Sequence, residues 1–276
     1  MARGPGRPGP FARLPLPGRT EGIVILVVLL VTAIAVGAAA WYAGTRTTPA
    51  FDSPDDAAEA GAPPPTATPP NDEPPGLAVY GDWYVSGTAL GGAGPAGWPA
   101  IVSQRLGAQA TEPHAVTDAG YVAASDRTGD TFLSLAENFP EPRADVTVVF
   151  GSRNDYSAAP AEITAAATRT LETIRATAPE TELLVIGPAW TDADVPPELP
   201  PVTDAVRQAA AAVGATFVDP LEERWFFDNP ELIGADVISP TDEGHRYLAD
   251  RIEPFVRQVL EENATSPSSE TVGPTG

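Results

Sequence analysis

Apolar positions in residues 77–262 fall into two alternating patterns: short apolar runs, β-branched at Val146–Phe150, and longer stretches whose apolar residues recur at helical spacing. The short runs predict strands at Leu77–Tyr80, Val146–Phe150, Leu183–Ile186 and Thr216–Val218, with a further strand in Gln109–Val116. Helices are predicted between them, over Trp98–Leu106, Thr131–Asn138, Ala161–Ala178 and Val202–Val213. In Ala161–Ala178 the residues Ile163, Ala166, Leu171 and Ile174 lie near helical spacing. A closing helix runs from Asp242 to Leu260, with Leu248, Ile252, Phe255 and Val259 on one face and a kink expected at Pro254. Strand and helix alternating at this spacing imply an α/β domain: a parallel sheet covered by helices on both faces.

Outside that region the pattern changes. Residues 1–21 are rich in Gly, Pro and Arg and read as a disordered tail. Residues 22–45 carry no charge, and Ile23–Tyr42 supplies about 20 apolar residues, enough for one transmembrane helix. Arg3, Arg7, Arg13 and Arg19 precede this run, and Trp41-Tyr42 follow where an interfacial aromatic belt belongs. The expected topology is therefore a single-pass anchor in the cell membrane, with a cytoplasmic N-terminus and an extracytoplasmic domain. The alternative is a secreted protein released by signal cleavage near Ala38-Ala39-Ala40. Residues 46–76, with Pro63-Pro64-Pro65 and Pro69-Pro70, read as an extended spacer, and residues 263–276 as a second polar tail.

Charge narrows the partners. From Gly44 onward there are 36 acids against 12 arginines, a net −24. Phosphate backbones repel such a surface, which excludes nucleic acid as an expected partner and favours a soluble monomeric domain. The chain has no cysteine, so neither disulfides nor thiolate metal sites are available. No cofactor is expected, and no His/Asp/Glu cluster has metal-ligand spacing.

Candidate chemistry sits at four places. The first strand ends in Gly81-Asp82, followed by Trp83, Gly87 and, downstream, Gly97-Trp98-Pro99. Gly120-Tyr121 lies beyond the second strand, and Gly151-Ser152-Arg153-Asn154-Asp155 directly follows Val146–Phe150. Asp236-Val237-Ile238-Ser239-Pro240, then Gly244-His245, lies near the start of the last helix. In this order the four blocks resemble those of the SGNH/GDSL hydrolases, the esterase and lipase family, in its bacterial cell-envelope form. The resemblance covers essentially all of residues 77–262. It implies a three-layer α/β/α, flavodoxin-like fold and, as ligands, acyl esters, acetylated glycans or lipids of the envelope.

The resemblance also assigns roles. Asp236 falls on the carboxylate of the catalytic triad, while Gly120 and Asn154 fall on the oxyanion donors. Trp83 falls on the nucleophilic serine and Ser239 on the histidine. An indole offers only an N–H donor, and a serine hydroxyl is no base near neutral pH, so the triad as written cannot carry acyl transfer. A degenerate ester hydrolase that retains a binding pocket is the expectation. The alternatives are a working esterase or acyltransferase using Ser86 with His245, or a purely structural, partner-binding module. Asp242-Glu243-Gly244-His245 also spells Asp-x-x-His, but Pro240 fixes the register on Ser239, which reads as an N-cap with Pro240 at the first helical position. His245 then reads as a packing or solvent-facing residue near the helix start. His114 and the Trp225-Phe226-Phe227 run are weaker candidates, the run as a pocket wall or as a patch under a loop.

Overall fold

The computed structural model describes residues 73–110 and 112–265. The apolar Ile23–Tyr42 run, most of the proline-rich spacer and the tail after residue 265 lie outside the described residues. Among the described residues, no helix is long and apolar enough to cross a membrane.

The elements run β1 (Gly76–Gly81), α1 (Trp83–Ser86), α2 (Trp98–Leu106), β2 (Gln109–Ala110), β3 (His114–Ala115), α3 (Phe132–Asn138) and β4 (Val146–Phe150). They continue as α4 (Pro160–Thr177), β5 (Glu182–Ile186), α5 (Leu199–Ala212), β6 (Thr216–Val218) and α6 (Asp242–Thr265). Every strand pairing is parallel. The sheet order is β2-β1-β4-β5-β6, with β3 also pairing β1. With β2 and β3 taken as one interrupted strand, this is the flavodoxin-like order. The single strand expected over Gln109–Val116 is thus two short pieces. Pro113 between them has no N–H to give to a ladder.

The central strands β1, β4 and β5 are buried on both faces, as a sheet sandwiched between helices requires. Leu77, Val79, Val148, Phe150, Leu184 and Ile186 face α1, α2 and the Leu248, Ile252, Val256 and Val259 stripe of α6. Ala78, Tyr80, Val149, Leu183 and Val185 face the other way, onto Phe132 and Leu135 of α3, Ile163 and Leu171 of α4 and Val202 and Val206 of α5. The three-layer α/β/α arrangement follows directly.

Helix ends depart from the expected bounds for identifiable reasons. α5 starts at Leu199, ahead of Val202, because Pro200 and Pro201 occupy its first turn, where the missing N–H groups have no intrahelical acceptor to lose. α6 runs through Pro254 to Thr265. Its cap is Thr241, whose Oγ1 accepts from the Gly244 N–H at 3.1 Å, and not Ser239. Residues 239–241 are held extended against 232–234: Gly234 N–H donates to the Ser239 carbonyl and Thr241 N–H to the Leu232 carbonyl, both at 2.8 Å. The helix can begin only after that pairing ends.

Candidate functional site

Three chain segments reach the C-terminal edge of the sheet, where open α/β sheets hold ligands. The first is the turn after β1. Asp82 is 1% exposed, and its Oδ1 accepts from the Tyr84 N–H at 2.9 Å, capping the four-residue α1. Burial pushes the Asp82 carboxyl up to about 7, against the lowering effects of the Tyr84 amide and the nearby Arg153 guanidinium. The next residue, Trp83, is 8% exposed and forms part of a cleft wall.

The second segment follows β4. Ser152 Oγ accepts from the Asn154 N–H at 3.0 Å, folding Arg153–Asp155 into a 3₁₀ turn. Asn154 Nδ2 donates to Asp82 Oδ2 at 3.2 Å and to the Ala119 carbonyl at 2.7 Å. The turns after β1 and β4 are thereby tied together, but both amide hydrogens of Asn154 are already engaged. Asp155 is the organiser that the sequence reading missed. Its carboxylate accepts from the consecutive N–H groups of Tyr121, Val122 and Ala123 at 2.8–2.9 Å. Burial raises its carboxyl above the ordinary range, and the three amides oppose that rise. The Gly120 N–H donates to the Ala123 carbonyl at 2.8 Å, so this candidate oxyanion donor is engaged within its own loop. Gly120 has to be glycine, since a Cβ there would lie 2.5 Å from Asp155 Oδ1. An Asn-Asp pair in the turn that follows a buried strand was the available signal for Asp155, because the aspartate is the residue able to gather several amides.

The third segment is Asp236–Ser239. Asp236 Oδ2 accepts from the Ser239 hydroxyl at 2.6 Å, and Oδ1 accepts from the N–H groups of Ile238 at 3.0 Å and Ser239 at 2.9 Å. Slight desolvation acts to raise the Asp236 carboxyl, but the Ser239 and Ile238 donors outweigh it and hold it below the usual range. The Tyr84 hydroxyl donates to the Ile238 carbonyl at 3.2 Å, joining this loop to α1. Burial pushes that phenol up to about 12, so it stays protonated and keeps donating.

Between these segments lies a cleft of about 440 Å³, lined by Trp83, Arg153, Asn154, Tyr156, Trp190, Pro196, Glu198, Leu199 and Ile238. Arg153 sits over Trp190, its guanidinium carbon 4.1 Å from the ring centroid, and 5.9 Å from the Trp83 centroid. Neither Arg153 nor Trp190 was singled out for a role from sequence. Trp190 closes the Gly187-Pro188-Ala189-Trp190 run after β5, and a lone aromatic beyond a parallel strand's C-terminus was the signal that could have found it.

The remaining candidates lie elsewhere. Ser86 Oγ donates to the Gly87 carbonyl at 3.2 Å. His245 is fully buried, with Nδ1 accepting from the Trp98 N–H at 3.4 Å and Nε2 without a partner. Its imidazole occupies space left by Gly92, where a Cβ would lie 2.0 Å from Nε2. Burial lowers its pKa to about 4, so the ring is neutral. The solvent-facing option for His245 is thereby ruled out, and Ser86 and His245 share no hydrogen bond. His114 Nε2 lies 2.6 Å from Glu141 Oε1, with its ring stacked on Phe139. Trp225 and Phe226 are core residues against Phe150 and Tyr247, so that run does not wall the cleft. Among the described residues, no group of His, Asp and Glu could hold a metal ion.

A parallel sheet in this order, with three loops converging near its C-terminal edge on a cleft, defines a doubly wound α/β protein of the flavodoxin-like class. The chain belongs to the GDSL-like lipase/acylhydrolase family, whose model matches residues 79–247. It is 41% identical over 191 residues to a GDSL lipase of Mycobacterium tuberculosis, covering 67% of this chain and 82% of that protein. A carbohydrate esterase family 2 enzyme of Corynascus thermopiles (Myceliophthora fergusii) shares the fold with a TM-score of 0.57 at 18% identity, over 71% of this chain and 69% of that one. A family two carbohydrate esterase of Clostridium thermocellum, solved with cellohexaose, gives 0.56 at 14% identity, over 68% and 66%.

Proposed function

We propose that this domain is a ligand-binding member of the GDSL family that lacks serine-hydrolase chemistry, anchored by residues 22–45 with the domain outside the cell. The observation that carries this reading is the state of Asp236. The carboxylate that would orient an imidazole is satisfied by the Ser239 hydroxyl at 2.6 Å and by two backbone amides. Acyl transfer needs a nucleophile, a base and an orienting carboxylate in hydrogen-bond sequence, and here the cleft presents an indole where the nucleophile belongs. The oxyanion donors point the same way, since the Gly120 amide and both Asn154 amide hydrogens have partners within the protein.

Envelope acyl esters, acetylated glycans or lipids are the proposed ligand classes. A relative named as a lipase and fold neighbours named as carbohydrate esterases support that range. The basic flank before the charge-free segment supports the anchored topology. The test is hydrolysis of short-chain aryl esters by the purified protein, together with labelling by a serine-directed phosphonate. Neither should exceed a heat-denatured control. Turnover that disappears in Ser86→Ala or His245→Ala would overturn the reading in favour of a displaced nucleophile.

A further inference from the structure

The large apolar side chains left in water gather at one place. Among the described residues, Leu90, Tyr156, Val237 and Ile238 are exposed, and Phe139 is the only other large hydrophobic residue that is. Tyr156 and Ile238 also line the cleft, which puts them at its mouth. Val237 adjoins Ile238, and Leu90 packs on the same loop, where a Cβ on Gly234 would lie 2.9 Å from the Leu90 Cδ1. Single scattered exposures need no explanation, but four on one rim form a patch.

Both loops hold these residues out by their own hydrogen bonds. Thr88 N–H donates to the Gly91 carbonyl at 2.8 Å and Leu90 N–H to Thr88 Oγ1 at 3.1 Å, closing a turn with Leu90 at its tip. In the other loop Asp236 Oδ1 gathers the Ile238 and Ser239 amides, and Val237 N–H donates to the Gly234 carbonyl at 2.9 Å. Val237 has a φ of 56°, a left-handed conformation that is strained for a β-branched residue and free for glycine. It is also 73% exposed. Strain and an apolar residue in water thus coincide at one position, and contact with an apolar medium would remove the second cost.

Charge and the preceding chain indicate what covers the patch. Exposed Glu198 and Asp236 stand beside it, and the chain from Gly44 onward carries a net −24, so a second copy and anionic lipid are both repelled. A zwitterionic lipid surface is not. The apolar run Ile23–Tyr42, long enough to span a bilayer, ties the chain to such a surface, and the 30 residues 46–75 lead from it to β1. β1 begins at the sheet edge opposite the cleft, so the spacer must pass the whole domain for the rim to meet the bilayer. α6 measures that height: it starts just after the Asp236–Ser239 loop, and Asn263 near its end reaches the Glu180 carbonyl ahead of β5. Its 24 residues span about 36 Å, whereas the spacer at ~3.1 Å per residue reaches about 90 Å. We infer that the apolar rim of the cleft docks on the zwitterionic surface of the bilayer that holds the chain's own anchor, with Leu90, Val237 and Ile238 entering it and Tyr156 at headgroup level. This rests on the anchored reading above and adds to it an orientation, with the cleft mouth toward the membrane.

The chain has no cysteine, so Val237→Cys and, at the far edge, Glu180→Cys each accept one environment-sensitive fluorophore. The labelled full chain is reconstituted in phosphatidylcholine vesicles with and without nitroxide-bearing lipid, and flotation with the vesicles reads the anchor. The label at 237 is expected to shift to the blue and to be quenched roughly twofold or more, and the label at 180 to change little. Leu90→Ser/Ile238→Ser should remove most of the quenching at 237. So should deletion of residues 46–66, which leaves nine spacer residues reaching only about 28 Å. Replacing phosphatidylcholine by phosphatidylglycerol should weaken it. Far-UV circular dichroism checks folding, and if the double variant does not fold, the spacer deletion, which lies outside the domain, decides. No quenching at 237, or equal quenching at 180, in a chain that floats with the vesicles would overturn the docking and leave the anchored reading intact. A signal at 237 that rises with protein density and not with nitroxide content would overturn it in favour of a second copy. A chain that does not float would overturn the anchored reading on which the proposal rests.

Discussion

At residues 82 and 83 a polar cap and an apolar wall stand side by side. Asp82 closes the first turn of α1 while Trp83 faces the cleft, so the position after the cap determines what chemistry the cleft can do. On the proposed reading, the Asp236–Ser239 pair answers it from the loop before α6, with a hydroxyl at the position compared with a base. Members of a triad act as a unit, so restoring one gains little while the other is missing. Trp83→Ser alone leaves a hydroxyl without a base, and Ser239→His alone leaves an imidazole facing an indole. The double variant Trp83→Ser/Ser239→His is the one expected to gain aryl-ester hydrolysis above background. Its rate should fall short of a complete site by about 10²–10³, because Gly120 and Asn154 give their N–H groups to protein oxygens. Equal activity in Trp83→Ser alone would show that another residue serves as base.

Among the elements, α6 separates two serine/threonine roles that look alike in sequence. Thr241 caps the helix through Gly244, while Ser239, three residues before the first helical position, serves Asp236. Thr241→Ala should cost about 1 kcal/mol and speed amide exchange at Gly244. Ser239→Ala should leave Gly244 exchange unchanged and raise the Asp236 carboxyl, which loses its 2.6 Å donor. A carbon-13 titration of the Asp236 carboxyl reads the second effect. If Ser239→Ala accelerated Gly244 exchange instead, the cap assignment would be wrong.

Over the whole molecule, two buried groups set opposing pH dependences. Asp82 is held at about 7, above the roughly 3.9 of an unfolded carboxyl, so its contribution to stability is full below about pH 4 and lost as pH rises through 7. His245 is held at about 4, below the roughly 6.5 of an unfolded imidazole, so its contribution is present above about pH 6.5 and lost as pH falls toward 4. Between pH 5 and 8 each amounts to something on the order of 2 kcal/mol, with opposite sign. Asp155, raised like Asp82, adds to the carboxyl side. Urea midpoints should therefore fall more steeply from pH 5 to 8 in His245→Gln than in the unaltered protein, and the trend should weaken or reverse in Asp82→Asn. Parallel profiles for all three would show that neither group titrates as its burial implies.

What the sequence determined by itself was the layered α/β architecture, the strand cores and the family blocks. Those features are local: strands buried on both faces read as continuous apolar runs, helices carry their own period, and the Gly-Asp and Asn-Asp pairs lie at or within a few residues of a strand's end. The sequence also determined that Trp83 and Ser239 stand at the positions it compared with a nucleophile and a base. Only the tertiary structure decided which partners those residues meet. Arg153 stacks between aromatics from after β1 and after β5, Asp155 gathers amides some thirty residues before it, and His245 sinks beside Trp98 and Gly92. The Ser239 hydroxyl turned to Asp236 because backbone pairing between 232–234 and 239–241 delayed the helix. Contacts between distant segments depend on sheet register and loop closure, which no periodicity along the chain encodes, and for that reason the cleft appears only once the strands are side by side.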